Sequence, residues 1–158
     1  MNPAVASLLT TCPGDHPLRW RFALACVERV QHLIESAEVM EQLAVLQGFV
    51  NGICDREMLE QAAIRAAHLA RRHPGSVSID GAAHAAVSAT HAVAKALAGR
   101  AEETADYAAY AAVYAYASHA VTSPEAFAGE HAWQQETWLA LVNATTCHPS
   151  VSVFPNTV

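Results

Sequence analysis

The sequence predicts an all-α fold: a single-domain bundle of five to six helices with Ala-rich helices at its centre. Three observations lead there. Alanine dominates the run from Ala82 to Ala120, and alanine is the strongest helix former because it loses no side-chain entropy. In the other segments apolar residues recur at three- and four-residue steps, the spacing of one helix face. Caps, glycines and prolines punctuate those segments at helix-length intervals.

Residues 1–14 contain Pro3, Pro13 and Gly14 as breakers and predict a loosely held arm. Asp15 is placed as an N-cap, with Pro17 in the first turn where its missing N–H does no harm. The first helix then runs to about Glu35. Trp20, Ala23, Val27, Val30 and Ile34 form its buried stripe, widened by Phe22, Cys26 and Leu33, with Arg21, Glu28, His32 and Glu35 opposite. A second helix spans about Ala37 to Val50 on Val39, Leu43, Leu46 and Val50, and Asn51-Gly52 stops it. Asp55 caps a third that buries Leu59, Ala62, Ala66 and Leu69. Arg71, Arg72 and His73 complement its negative end before Pro74-Gly75.

The segment at 76–79, SVSI, has no second strand to pair with and predicts a loop. Asp80 caps a fourth helix from about Gly81 to Ala98. Gly99 separates it from a fifth that runs from Ala101 to about Ala120, with Glu102 and Glu103 in the first turn. Helices walled by methyl groups lie close together, so these two are assigned to the bundle centre. Ser123-Pro124-Glu125 starts a short helical turn. A last helix covers about Glu130 to Ala144, with Trp138, Leu141 and Val142 inward. The helical domain is thus 15–146, and 147–158, with Pro149 and Pro155, is an irregular tail.

A chain of 158 residues suits one domain, which at that size buries roughly 70% of its unfolded surface. A net charge of −6 argues against a nucleic-acid binder and suits a basic protein partner. No apolar run reaches the ~20 residues of a membrane span, and the first basic residue is Arg19, so neither a membrane span nor a signal peptide is expected. Cys12, Cys26, Cys54 and Cys147 are scattered without a CxxC. They point to neither a redox pair nor a zinc knuckle, and to a reduced, cytoplasmic protein.

Nine histidines are many for this length. His84 and His91 lie seven residues apart, on one helix face, with Ser88 between them and Lys95 extending the row. With Tyr114 nearby, this stripe would line a ligand or metal pocket between the two Ala-rich helices. The plainer reading is hydrogen bonding inside the bundle. HExxH and further ligands at i+4 spacing are missing, so no metal is assigned. A second stripe holds Glu103, Tyr107, Tyr110 and Tyr114. With Glu102 and Asp106 it gives the fifth helix an acidic, aromatic start, a surface suited to Arg and Lys from a partner. Glu102, Glu103, Asp106, Tyr107 and Tyr110 are therefore the candidate contact residues. The plainer reading packs the tyrosines along a seam with their hydroxyls at the rim. GxSxG, P-loop and GxGxxG motifs are absent from the sequence. No catalytic residue and no cofactor are assigned, and no enzymatic activity is expected.

Residues 15–36, DHPLRWRFALACVERVQHLIES, resemble the opening helix of a family of immunity proteins from bacterial polymorphic toxin systems. The resemblance rests on Asp15 and His16, Trp20, the small-residue segment Ala23 to Cys26, and Glu28, Arg29 and Val30. The Ala- and His-rich core, with His68, His84 and His91, is similar to the family's small-residue helices. The match covers about residues 15–120. The chain departs from the family's pattern at Gly48 and Gly52 of the second helix and in the tail. The resemblance implies an all-α, non-enzymatic protein that neutralises a cognate toxin domain. The alternative class is a helical small-molecule- or metal-binding protein using His84, Ser88, His91, Lys95 and Tyr114. A homo-oligomer built on the small-residue face of the fourth helix is a third option.

Overall fold

The computed structural model describes residues 1–75, 82–116 and 123–146. Among these residues the chain is helical and has no strand. The α-helices are α1 (Pro3–Thr10), α2 (Pro17–Val30), α3 (Ala37–Val50), α4 (Arg56–Arg72), α5 (Ala82–Leu97), α6 (Ala101–Tyr116) and α7 (Ala128–Thr146). Two 3-10 segments, Gln31–Leu33 and Pro124–Phe127, extend α2 and precede α7. The described helices thus outnumber the five to six expected.

The additional helix is α1, in the stretch expected to be a loose arm. Asn2 accepts from the Val5 N–H as N-cap and Pro3 takes the first turn, where proline removes no helical hydrogen bond. Val5 and Leu9 are buried one helical turn apart, which docks α1 on α7 and α6. A second correction concerns the cap of α2. It is the His16 imidazole, not Asp15, that accepts from the Leu18 N–H. Ser123 makes no cap bond to a backbone N–H; its hydroxyl donates instead to Glu125.

Ser36 and Asp55 cap α3 and α4 through side-chain oxygens that accept from Val39 and Met58. The expected apolar stripes face inward. Trp20, Phe22, Ala23, Cys26, Val27 and Val30 are buried on α2, as are Val39, Leu43 and Leu46 on α3 and Leu59, Ala62 and Ala66 on α4. The loop at 76–79, the Asp80 cap, the end of the fifth helix near Ala120 and the tail 147–158 lie outside the described residues.

The most extensive packing joins α5 to α6. Their contact is made of small side chains: Ala85, Ala89, Ala92 and Ala96 on α5, and Ala101, Ala105, Ala108 and Ala112 on α6, are all buried. Buried Thr90 and Thr104 return their hydroxyls to the carbonyls four residues back, so neither leaves a polar group unpaired. Helix α4 packs on α5, while α2 crosses both halves of the hairpin and carries α7.

At the hairpin turn Gly99 has φ of +73°. Its N–H donates to the Ala96 carbonyl and the Arg100 N–H to that of Lys95, the paired bonds of a Schellman ending. A three-residue link holds α6 antiparallel to α5, and that register decides which of the candidate residues meet.

Candidate functional site

The two stripes read from the sequence face each other. The His91 ring stacks on Tyr107 with centroids 5.0 Å apart and planes 17° from parallel. Seven residues back on α5 and seven forward on α6, His84 stacks on Tyr114 at 5.4 Å and 26°. Four residues the other way, the Lys95 ammonium donates to the Glu103 carboxylate. Ser88 lies half-buried on the same strip of α5. The polar row and the aromatic row are therefore one ladder, with a rung at each place where α5 and α6 bring the same face together.

The ladder divides the candidate contact residues. Glu103 is engaged twice, by Lys95 and by Arg100 at 3.0 Å, and the Lys95 bond holds its carboxyl below the usual glutamate range. Tyr107 is covered by His91. Glu102 is half-buried in the first turn of α6. Asp106 and Tyr110 face the other way, towards α7.

There, Asp106, Tyr110, Phe127 and His131 line a recess of about 260 Å³ with Met1, Ala109 and Pro124. Tyr110 meets Phe127 edge-on at 5.0 Å, and Phe127 lies 6.0 Å from His131. Asp106 has no Lys or Arg partner among the described residues; the Met1 amine stands 3.5 Å from it. Burial, and after it the Met1 amine, keeps the His131 pKa below the ordinary histidine value. At neutral pH its ring is an uncharged wall. A carboxylate among ring faces is chemically a receptor for an organic cation.

A second concavity, of about 350 Å³, runs over α5 between α4 and α6. It takes in His91, Lys95 and Tyr107, together with Arg71 and Arg100; His84, Ser88 and Tyr114 are not among its lining residues. Burial, and then the neighbouring Lys95 and His73 charges, lower the His91 pKa. Among the described residues no three His, Cys, Asp or Glu side chains converge as a metal site would require. No helix among them is long and apolar enough to cross a membrane.

Sequence reasoning missed Phe127, His131, Arg71 and Arg100. Phe127 and His131 come from segments read only as a turn and a helix start. Arg71 had a sufficient local explanation at the end of its helix. No sequence spacing joins Phe127 and His131 to Tyr110, or Arg71 to Lys95; only packing does, whereas Arg100 stands three residues before Glu103, a spacing that could have found it. Neither a scan of protein-family models nor searches of curated proteins and solved structures finds a significant match to this chain.

Proposed function

We propose that this chain is a non-enzymatic immunity protein that binds and neutralises a cognate bacterial toxin domain, receiving a Lys or Arg side chain of that partner in the recess between α6 and α7. The observation that carries the reading is Asp106, a carboxylate one-quarter exposed and set among Tyr110, Phe127 and His131. An entering cation would take Asp106 over from the Met1 amine, 3.5 Å away, and meet the ring faces beside it, and partial desolvation strengthens both interactions. The net charge of −6 draws a basic partner from a distance. The resemblance of residues 15–120 to immunity proteins supplies the class of partner. Binding would neutralise by covering or distorting the toxin's catalytic surface.

Co-expression with the toxin encoded beside this gene tests the reading. Protection is expected from the native chain, and Asp106→Asn or Tyr110→Ala should weaken the complex by roughly tenfold, the order of one well-placed cation–aromatic contact with its counter-ion. If cells die equally fast with and without the native protein, the reading fails.

A further inference from the structure

The chain carries fewer cations than carboxylates, 9 Lys and Arg against 15 Asp and Glu. Three of those cations nevertheless border one groove, the concavity over α5, with Arg71 from α4, Lys95 from α5 and Arg100 from the hairpin turn. The carboxylate bonded there is Glu103, which takes one donor from Lys95 and one from Arg100. An ammonium carries three N–H donors and a guanidinium five, so both keep donors to spare. Arg71 bonds through Nε to the Ala67 carbonyl at 3.2 Å and has no carboxylate partner among the described residues. Of the three, Lys95 also bears on His91, whose pKa is lowered by burial first and then by Lys95 and His73.

The rest of the lining is of another kind. Ala63 and Ala67 of α4, Ala94 of α5 and Ala98 just beyond its end present methyl groups, and Tyr107 stands against the His91 ring. A volume of about 350 Å³ lies within the range of small-molecule sites. A methyl-lined trough bordered by under-used cations fits a ligand with an apolar body and an anionic head.

We infer that the groove over α5 binds a small organic oxyanion, an apolar body carrying a carboxylate or phosphate head that Arg71 and Lys95 receive. This site lies on the face of α5 away from Asp106 and does not depend on toxin binding. Glu103 remains bonded and holds the Lys95 and Arg100 heads at the rim. The ligand's apolar part covers the alanine methyls, and its charge offsets the potential around His91.

The full chain is titrated with phenyl phosphate, benzoate and inorganic phosphate and followed by NMR. Phenyl phosphate or benzoate should give saturable shifts of the Ala67, Ala94 and Ala98 methyls and the His91 ring, and the tighter of the two identifies the head group. Inorganic phosphate, without an apolar body, should bind about tenfold more weakly. Arg71→Gln should weaken binding about fivefold, the share of one exposed charge-assisted bond. Arg65→Gln, the same charge change on α4 outside the groove lining, should leave affinity unchanged. The inference is overturned if neither organic anion gives saturable shifts in the groove by ~10 mM, if inorganic phosphate binds as tightly as both, or if the two arginine variants weaken binding equally.

Discussion

Gly99 sits against the six-membered ring of Trp20 so closely that a Cβ at that position would lie 3.1 Å from the ring edge. The same residue has φ of +73°, where a side chain meets the following carbonyl. Both the hairpin's ending and its seat on α2 thus need a residue without a Cβ. Gly99→Ala should destabilise the protein by about 2–3 kcal/mol, combining left-handed strain with overpacking at Trp20. Urea unfolding checks this, and Trp20→Phe in the alanine background should recover part of the loss. A cost below about 0.5 kcal/mol would mean that the turn is not under this constraint.

The Asn2 side chain performs three tasks. Its oxygen caps α1, and its amide donates to the His131 carbonyl at 3.0 Å and to Gln134 Oε1 at 3.1 Å. Gln134, buried, passes its own N–H to the Ala105 carbonyl of α6 at 2.8 Å. Asn2→Ala strands the Gln134 oxygen and removes the cap together. An unpaired buried acceptor costs about 1–3 kcal/mol, so a loss of that order is expected in thermal unfolding. A second measurement separates docking from fraying: amide exchange in α1 should accelerate more than in α4. Unchanged exchange in α1 would show that Asn2 does not hold it.

That network also marks the limit of what the residues alone reveal. The start of α4 was legible because Asp55 is a cap, and the ends of α3 and α4 because Asn51-Gly52 and Pro74-Gly75 are stops, whereas the Ser36 cap of α3 went unread. Helix α1 was misread because Pro3 counts equally as a breaker or as a first-turn residue. Its distinguishing signal was the Asn2 cap with Val5 and Leu9 four apart. The candidate stripes were legible as rows but not as partners. Seeing that His91 meets Tyr107 requires the register set by Gly99, and seeing that Asp106 and Tyr110 meet His131 requires the placement of α7. A one-dimensional pattern shows which face a side chain lies on; the crossing of helices decides what stands opposite.

Stability should fall with acid in two stages. His91 and His131 are held below the usual value of 6.5, chiefly by burial. Their folded pKa values lie beneath the unfolded one, so on acidification the unfolded chain takes up these protons first. Stability is complete above about pH 6.5 and declines from there towards the folded values. Glu103 is also depressed, by the Lys95 bond first. Its contribution is present above its unfolded value of 4.5 and is lost as pH drops through the folded one. The urea midpoint should therefore drop as the pH falls below about 6.5, and again below about pH 4.5. His91→Gln should reduce the first stage to the share of His131 and leave the second. A flat midpoint through the first window would contradict the burial of both rings.

Arg29 of α2 and Glu130 of α7 are joined by two parallel hydrogen bonds of 2.7 and 2.9 Å, and the guanidinium lies 4.2 Å from the Trp133 ring centroid. The geometry is that of a fork on a carboxylate with a ring face behind it, an arrangement lysine cannot copy. The Glu130 bond raises the Arg29 pKa above its already high value, so the guanidinium stays charged throughout the accessible range. Exposure limits its strength: the Arg29 side chain is 35% accessible and the Glu130 side chain 13%. A discounted contribution of about 1 kcal/mol follows for a bidentate, half-shielded pair. Glu130→Gln should cost about that much, and Arg29→Lys should cost nearly as much because both the second bond and the ring contact go. In a double-mutant cycle with Glu130→Gln and Arg29→Met, a coupling near zero would reduce the pair to a surface contact. A coupling near 1 kcal/mol that survives about 0.5 M salt would place it among the shielded ties, one that pins α7, and with it the floor of the Asp106 recess, to the centre of the bundle.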